Sequence, residues 1–297
     1  MKIAFLIQCH KNPEQIKKLI NALSHDNIDI YIHVDKKSSI KEKLKQNDEK
    51  IFFIDDKYRC DVKWGTYSQV EATLSLLKAA TNKGIYDYYW LISGQDFPLV
   101  SSTDIVEFFS KNEYEYINLF NSKNNGCSHT NNYDKRNEIV FSDWMFKRDL
   151  LHRIIRRSWV GITGGYNHTF TIFKRKNNLA MNFYFGSSWW CLSGKLIDYI
   201  MKYLSEHPEY EKFYRNTSCP DESFFQTLVM NSPFAKNVKE YLHYIDWSEG
   251  NSSPKNLTIS DIDSMFSSKK MMARKIDSEI DNKIINEILA RIKAKEE

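Results

Sequence analysis

Along its first hundred residues the chain alternates short apolar runs with amphipathic stretches, and this alternation constrains the fold more than any other feature. The apolar runs are typical of buried strands, and the stretches between them place apolar residues at helical spacing. The predicted strands are Lys2–Gln8, Asp29–Val34, Ile51–Ile54 and Tyr88–Ser93, and the predicted helices are Asn12–Leu23, 38–48 and Ser68–Ala80. This β-α-β order predicts parallel strands joined by right-handed crossovers in an α/β fold.

Ligands of such sheets bind beyond the carboxyl ends of the strands, where the strand order switches. In this chain those ends are His10, Asp35 and the run Gly94–Asp96. We therefore predict a nucleotide site there. Asn12 is the predicted N-cap of the first helix, with Pro13 at the first helical position and Gln15 reaching back to the cap.

The second half of the chain is less regular. Residues 121–180 lose the alternation and are predicted to be a long insertion. Regular structure then returns: the predicted elements are a strand at Trp189–Leu192, helices at Lys195–Leu204 and Asp221–Met230, and a basic helix from Asp277 onward.

Composition excludes several classes of protein. The net charge of +4 is too small to predict nucleic-acid binding. The five cysteines are odd in number and form no C-x-x-C, which argues against a disulfide framework or a zinc site. The apolar stretch after Met1 is too short for a signal peptide. The sequence contains no 18-residue apolar run, so it predicts no membrane-spanning helix. We therefore expect a reduced, cytoplasmic protein.

Seven segments, in order, resemble the core-2/I-branching family, which includes animal β-1,6-N-acetylglucosaminyltransferases and peptide O-xylosyltransferases. They are IHVDKKS (32–38), WGTYSQVEATL (64–74), YYWLISGQDFPL (88–99), FGSSWWCLS (185–193), CPDESFFQTLVMNSP (219–233), YIDWSEGNSSPKNL (244–257) and MMARKID (271–277). The resemblance implies a GT-A-type glycosyltransferase fold, a Rossmann-like twisted mixed sheet flanked by helices. It implies one domain over 1–297, with a nucleotide-sugar-binding half at 1–110 and an acceptor-binding half at 111–297 that contains the insertion.

The resemblance also implies a function. An inverting, metal-independent enzyme of this family would move a sugar from a UDP-sugar to a hydroxyl group of a glycan. UDP-GlcNAc is the first expected donor and UDP-xylose the second, while UDP-glucose and UDP-galactose stay open. Animal members carry a membrane anchor and disulfides, and this chain shows neither pattern. It therefore looks like a bacterial member that builds surface polysaccharide from the cytoplasmic side.

A catalytic base is expected at Glu222, where the family's catalytic glutamate falls. Pro220 predicts the start of a helix just before the two carboxylates. A positioned general base contributes roughly 10²–10⁴-fold to the rate. Asp221 would then cap the helix or contact the acceptor. The alternative is that both carboxylates only complement the helix dipole.

The diphosphate has to be neutralised as it leaves. Most GT-A enzymes do this with a metal ion held by D-x-D, but this chain has only Asp96 at the corresponding strand end, and divalent cations want several oxygen ligands. Asp96 is therefore expected among the donor-binding residues and not as a metal ligand. The resemblance instead assigns Arg274 and Lys275 to the pyrophosphate, and Lys255 less surely. The alternative is a solvated basic tail. We expect no metal and no cofactor besides the donor.

The remaining site residues also follow from the resemblance. Asp35 would accept a hydrogen bond from the uracil ring, with Ile7 and Trp64 as its apolar and aromatic neighbours. The segment with Ser187 and Trp189 would lie beside the transferred sugar. Separately, Trp247 would pack on the acceptor. A turn cap for Asp35, and core positions for Ile7 and the tryptophans, are the competing interpretations.

One feature is independent of the family. Residues 144–160 place apolar side chains near one helical face and basic ones mostly on the other. A basic amphipathic helix can lie at an anionic membrane surface. We hypothesise that it brings the enzyme to a lipid-linked acceptor at the inner membrane surface. The alternative is an ordinary helix packed over the active site.

The sequence leaves two other functional classes to compare with this one. A catalytically silent nucleotide- or sugar-binding protein on the same fold would bind UDP without turnover. A metal-dependent hydrolase is disfavoured because the histidines lack H-x-x-x-H or similar spacing.

Overall fold

The computed structural model describes residues 1–44, 48–120, 137, 149–162, 178–251 and 253–296. Its helices are α1 (Pro13–Ala22), α2 (Lys41–Leu44), α3 (Ser68–Lys83), α4 (Ser102–Ser110), α5 (Leu150–Ile162), α6 (Gly194–Glu206), α7 (Pro208–Tyr214), α8 (Phe224–Met230), α9 (Ile262–Ser267) and α10 (Ile284–Glu296). Its strands are β1 (Ile3–Cys9), β2 (Ile28–Val34), β3 (Ile51–Phe53), β4 (Tyr88–Ser93), β5 (Asp96–Pro98), β6 (Glu115–Ile117), β7 (Trp190–Ser193), β8 (Val238–Lys239), β9 (His243–Ile245) and β10 (Met272–Arg274).

Seven strands form the main sheet, in the order β3-β2-β1-β4-β7-β6-β8. Strands β1 to β4 pair in parallel, as the alternation predicts, and β7 makes the sheet mixed by pairing antiparallel with both β4 and β6. The predicted α/β fold with a mixed sheet flanked by helices is confirmed.

The core lies on both faces of this sheet because successive strand residues point to opposite sides. In β1, Ile3, Phe5 and Ile7 pack in one apolar cluster, which also holds residues of α1, α4 and α10. Ala4 and Leu6 pack in the other cluster, with residues of α3, α6 and α8. Burial on both faces explains why β1 reads as a continuous apolar run.

A small second sheet, in the order β5-β10-β9, was not predicted. Its strands are three residues each, too short for a periodic pattern to reveal. Within it Arg274 pairs with Asp96 across the antiparallel β10 and β5. The C-terminal part of the chain thereby reaches the end of β4.

Several local predictions need correction. Asn12 does not cap α1; its backbone is left-handed, with φ 55°, and its side chain donates to Asp277 instead. The helix expected at Asp221–Met230 is divided into a 3-10 turn at Pro220–Glu222 and α8. The last helix begins at Ile284 and not near Asp277.

Two other predictions fall partly outside the description. The helix expected over 38–48 is seen only as α2, and 45–47 lie outside the described residues. Most of the predicted insertion, 121–180, also lies outside them. Of the helices in the described parts of the chain, none is long and apolar enough to cross a membrane.

Candidate active site

A cleft of about 490 Å³ opens beyond the carboxyl ends of β1, β2 and β4. It is lined by Gln8, Cys9, His10, Lys11, His33, Asp35, Lys37, Val62, Lys63, Trp64, Gln69, Ser93, Gly94, Gln95, Trp189 and Arg274. The edge of the sheet that the sequence predicted for a nucleotide is therefore open and concave.

Asp35 lies where β2 ends, and its position is fixed on both sides. Its backbone N–H donates to the Cys9 carbonyl at 2.9 Å, which holds the ends of β1 and β2 together. One carboxylate oxygen accepts the Lys37 backbone N–H at 3.1 Å, and the other lies 3.6 Å from the Lys37 ammonium. The carboxylate is thus largely buried yet faces the cleft, ready to accept a hydrogen bond from a ligand.

Trp64 lies at the cleft in the loop before α3, with 62% of its surface exposed. The next residue, Gly65, has φ 75°, a left-handed conformation that glycine adopts without strain. The Gly65 carbonyl accepts the Cys219 backbone N–H at 2.9 Å. The loop that carries Trp64 is therefore hydrogen-bonded to the turn that carries Asp221 and Glu222.

Arg274 also lines the cleft, and its guanidinium is held both by hydrogen bonds and by an aromatic ring. Its guanidinium donates to Asp96 at 2.8 Å and to the Ser93 hydroxyl, and it stacks on the Trp189 ring, 4.5 Å from the centroid. Asp96 is fully buried, and its other oxygen accepts the Ser93 backbone N–H at 2.6 Å. Asp96, which was expected among the donor-binding residues, does not line the cleft; it positions Arg274.

Positive charge accumulates beside Arg274. Partial burial, and then the charges of Arg274 and Lys11, lower the pKa of Lys275. The pKa of His10 is also lowered, by loss of surrounding water and then by Lys11, with a further contribution from Lys275. Burial is the larger cause for both groups, and the smaller contributions of Lys11, Arg274 and Lys275 show that cations gather at this edge of the cleft.

Asp277 connects the segments that carry these basic residues. It is 4% exposed and accepts hydrogen bonds from the side chains of Lys11, Asn12 and Gln95. Burial is the largest single influence and opposes its ionisation, but the hydrogen bonds from Lys11, Glu279 and Asn12 and the charge of Lys11 together lower its pKa. The network ties the loop after β1 and the turn after β4 to the segment after β10.

The acidic turn lies against the segment before β7. The Ser188 hydroxyl donates to Asp221 at 2.5 Å, and the Gly186 backbone N–H donates to the Glu222 carbonyl at 2.8 Å. Only glycine fits at 186, because an added Cβ would lie 1.7 Å from the Asn118 carbonyl oxygen. The Asp221 carboxylate and the Glu222 backbone are thereby fixed to the segment that leads into Trp189.

A small cavity of about 10 Å³ lies between this turn and the cleft. Asp221 and Ser188 line it, and Gln8, Gln69 and Trp189 line both the cavity and the cleft. Its size corresponds to about one water molecule.

Comparison with known proteins identifies the family. A family model described as Core-2/I-Branching enzyme matches residues 3–269. The chain belongs to the core-2/I-branching enzyme family. The prediction that it is a glycosyltransferase is confirmed at that level.

Individual relatives are distant. A β-glucuronosyltransferase of Arabidopsis thaliana, GlcAT14B, is 26% identical over 98% of this chain and 67% of its own length. A xylosyltransferase of Ciona intestinalis is 22% identical over 97% of this chain but 34% of its own length. The chain thus spans about a third of that xylosyltransferase. The apo structure of mouse xyloside xylosyltransferase 1 aligns with a TM-score of 0.39 and 8% identity, over 92% of this chain and 97% of that one, a likeness too low to support an argument.

The cleft gathers four of the site residues that the core-2/I-branching resemblance predicted: Asp35, Trp64, Trp189 and Arg274. Glu222 and Lys275 are half-buried and do not line the cleft. Lys275 follows Arg274 in the chain, and Glu222 follows Asp221, which lines the small cavity. Ser187 is bound through its carbonyl, which accepts the Gln226 amide at 2.6 Å, and it lines neither cavity.

Three predicted residues lie elsewhere. Ile7 is fully buried in the apolar core, so it faces neighbouring side chains and not the cleft. Lys255 is paired with Asp261 at 2.7 Å and lies 3.8 Å from Asp246, away from the cleft lining. Trp247 is 48% exposed after β9 and also lies outside that lining.

The sequence reasoning missed the basic residues of the cleft itself. Lys11, Lys37 and Lys63 line it, each on a loop that follows or precedes a predicted element. The available signal was position: Lys11 and Lys37 come one and two residues after the strand ends His10 and Asp35.

Proposed function

We propose that this enzyme is an inverting glycosyltransferase that moves a sugar from a UDP-sugar to a hydroxyl group of a glycan. One observation supports this most: Asp35, Trp64, Trp189 and Arg274 line a single cleft, and the segment that supplies Trp189 is hydrogen-bonded to the turn with Asp221 and Glu222. A donor and a general base would meet at Trp189.

In the proposed reaction, Glu222 takes the proton of the acceptor hydroxyl as its oxygen attacks the anomeric carbon. The bond from that carbon to the diphosphate breaks, and UDP leaves with the electron pair. Attack from the opposite face turns an α-linked donor into a β-linked product. Asp35 would accept from the uracil ring, and Trp64 would pack on it.

Fixed cations neutralise the leaving diphosphate in this proposal. Arg274 is at the cleft wall, Lys275 is beside it, and the charge of Lys11 adds to theirs. Both Asp96 oxygens are occupied, by Ser93 and Arg274, which leaves that carboxylate poorly placed to hold a metal ion. Activity is therefore expected to survive EDTA; loss on chelation and recovery with Mn²⁺ would overturn this part.

The donor is proposed as UDP-GlcNAc or, second, UDP-xylose. The xylosyltransferase names of several relatives support the second, and the β-glucuronosyltransferase relatives add UDP-glucuronic acid to the candidates. The proposed acceptor is a glycan of a bacterial surface polysaccharide. Release of UDP from each of these donors, and from UDP-glucose and UDP-galactose, would rank them.

Replacing Glu222 tests the mechanism. We expect Glu222→Gln to lower kcat by roughly 10²–10⁴-fold while UDP still binds, because the amide cannot accept the proton. Glu209→Gln removes an exposed carboxylate on α7 and should leave kcat unchanged. Equal loss of turnover and of UDP affinity, the latter by titration calorimetry, would make Glu222 structural. UDP binding with no transfer from any donor would instead indicate a silent binding protein.

A further inference from the structure

Helix α5 exposes the side chains that a globular protein normally buries. Exposure is 68% at Leu150, 64% at Leu151, 52% at Ile154, 42% at Ile155 and 82% at Ile162. Contiguous apolar surface of this kind marks an interaction site. We call these five residues the α5 apolar face.

The five side chains lie on one side of the helix. At 100° per residue its members span an arc of about 140°. Arg153 and Arg157 are exposed and lie along one edge of that arc, and the helix contains no acidic residue. Asp149 precedes it and accepts the His152 backbone N–H at 3.0 Å, which fixes where the helix starts.

Charge and length together select the partner. Thirteen residues make a helix of about 20 Å, shorter than the roughly 30 Å hydrocarbon core, so α5 would lie along a bilayer and not across it. A helix with an apolar face and a basic flank fits the boundary between acyl chains and anionic headgroups. Arginine side chains can extend from the flank to lipid phosphates.

We propose that α5 docks the enzyme on an anionic lipid bilayer, with the α5 apolar face inserted and Arg153 and Arg157 at the phosphates. The proposal deepens the proposed function, on which it rests for one consequence: the acceptor is carried at the membrane surface. Docking itself requires only the exposed residues of α5.

Vesicle flotation tests the docking with the full chain. We expect binding to phosphatidylcholine vesicles containing about 30% phosphatidylglycerol, weaker binding in high salt, and little binding to phosphatidylcholine alone. Leu151→Ser/Ile155→Ser and, separately, Arg153→Glu/Arg157→Glu should each weaken binding about tenfold or more. Circular dichroism confirms that each variant is folded.

Matched controls lie elsewhere on the surface. Ile85→Ser changes another apolar residue, 92% exposed, and Lys195→Glu/Lys202→Glu reverses two charges on α6; both should bind vesicles like the wild type. Binding that is absent in the wild type, or equal in the α5 variants, overturns the proposal. A dimer, seen by light scattering and abolished by Leu151→Ser/Ile155→Ser, would assign the face to a second copy instead.

Docking and catalysis fail separately. Glu222→Gln should keep vesicle binding while losing transfer, and the α5 variants should keep donor hydrolysis in solution. If vesicle binding holds but no donor is ever cleaved, the proposed function fails and the docking surface remains.

Discussion

Two basic residues in the C-terminal part of the chain, Arg274 and Lys255, make ion pairs of nearly the same length in different surroundings. Arg274 lies 2.8 Å from Asp96, and Lys255 lies 2.7 Å from Asp261. The side chains of Arg274 and Asp96 are 14% and 0% exposed, whereas those of Lys255 and Asp261 are 27% and 13% exposed. Only Arg274 lines the cleft.

The difference shows that the surroundings of a cation decide its role. At Arg274 the partner carboxylate is fully buried, and the guanidinium is stacked on Trp189 with its planar face fixed. At Lys255 a flexible ammonium bridges Asp261 and Asp246 near solvent. The first arrangement holds a charge in a fixed position at the cleft wall, and the second fastens a loop.

Breaking the buried pair should have the largest effect. Arg274→Ala leaves Asp96 charged and fully buried, so the free energy of unfolding should fall by about 3–5 kcal/mol. Urea denaturation measures it. The double variant Arg274→Ala/Asp96→Asn removes the stranded charge and should recover a large part of the loss. Equal stability of the single and double variants would mean that the two pairs differ less than their burial indicates.

The pH dependence of UDP binding should show an intermediate effect at Lys275. Its pKa is lowered by burial and then by Arg274 and Lys11, so it loses its proton at a lower pH than an ordinary lysine. A diphosphate binds the charged form, so UDP affinity should fall as pH rises through this lowered pKa, by up to about tenfold per pH unit.

Titration calorimetry in buffers of different ionisation enthalpy checks this. Proton uptake should accompany binding in the alkaline range. Lys275→Arg stays charged and should remove both the uptake and the decline. A decline that persists in Lys275→Arg would assign it to another group.

Much of the fold followed from the sequence because its signal is local. The parallel strands β1 to β4 are buried on both faces, and their ends at His10, Asp35 and Gly94 mark the cleft through topology alone. The second sheet was not predictable, since strands of three residues carry no periodicity and their pairing is set by distant segments.

The sequence predicts which residue types line the candidate site, but not the side-chain contacts that decide what each residue does there. Asp96 was expected at the donor because the sequence shows a carboxylate at a strand end. Its two hydrogen-bond donors, Ser93 and Arg274, are brought to it by the packing of the second sheet. Lys255 was expected at the diphosphate because it aligns with a basic residue of the family, and its partner Asp261 lies six residues later in a motif that does not reveal the pairing.

Removing Lys255, the more exposed of the two cations, should have the smallest effect on UDP binding and stability. Lys255→Ala should leave the Kd for UDP unchanged within about twofold, because the ammonium does not line the cleft and charges near solvent are screened. Its effect on stability should be small and dependent on pH. Burial is the largest single influence and opposes ionisation of Asp261, but the hydrogen bonds from Lys255 and Thr258 and the charge of Lys255 together lower its pKa. The contribution of the pair is therefore present at neutral pH and lost as pH falls through that lowered pKa, where the wild type and Lys255→Ala should unfold alike. A large loss of UDP affinity in Lys255→Ala would instead bring this lysine into the donor site, and the contrast with Arg274 would fail.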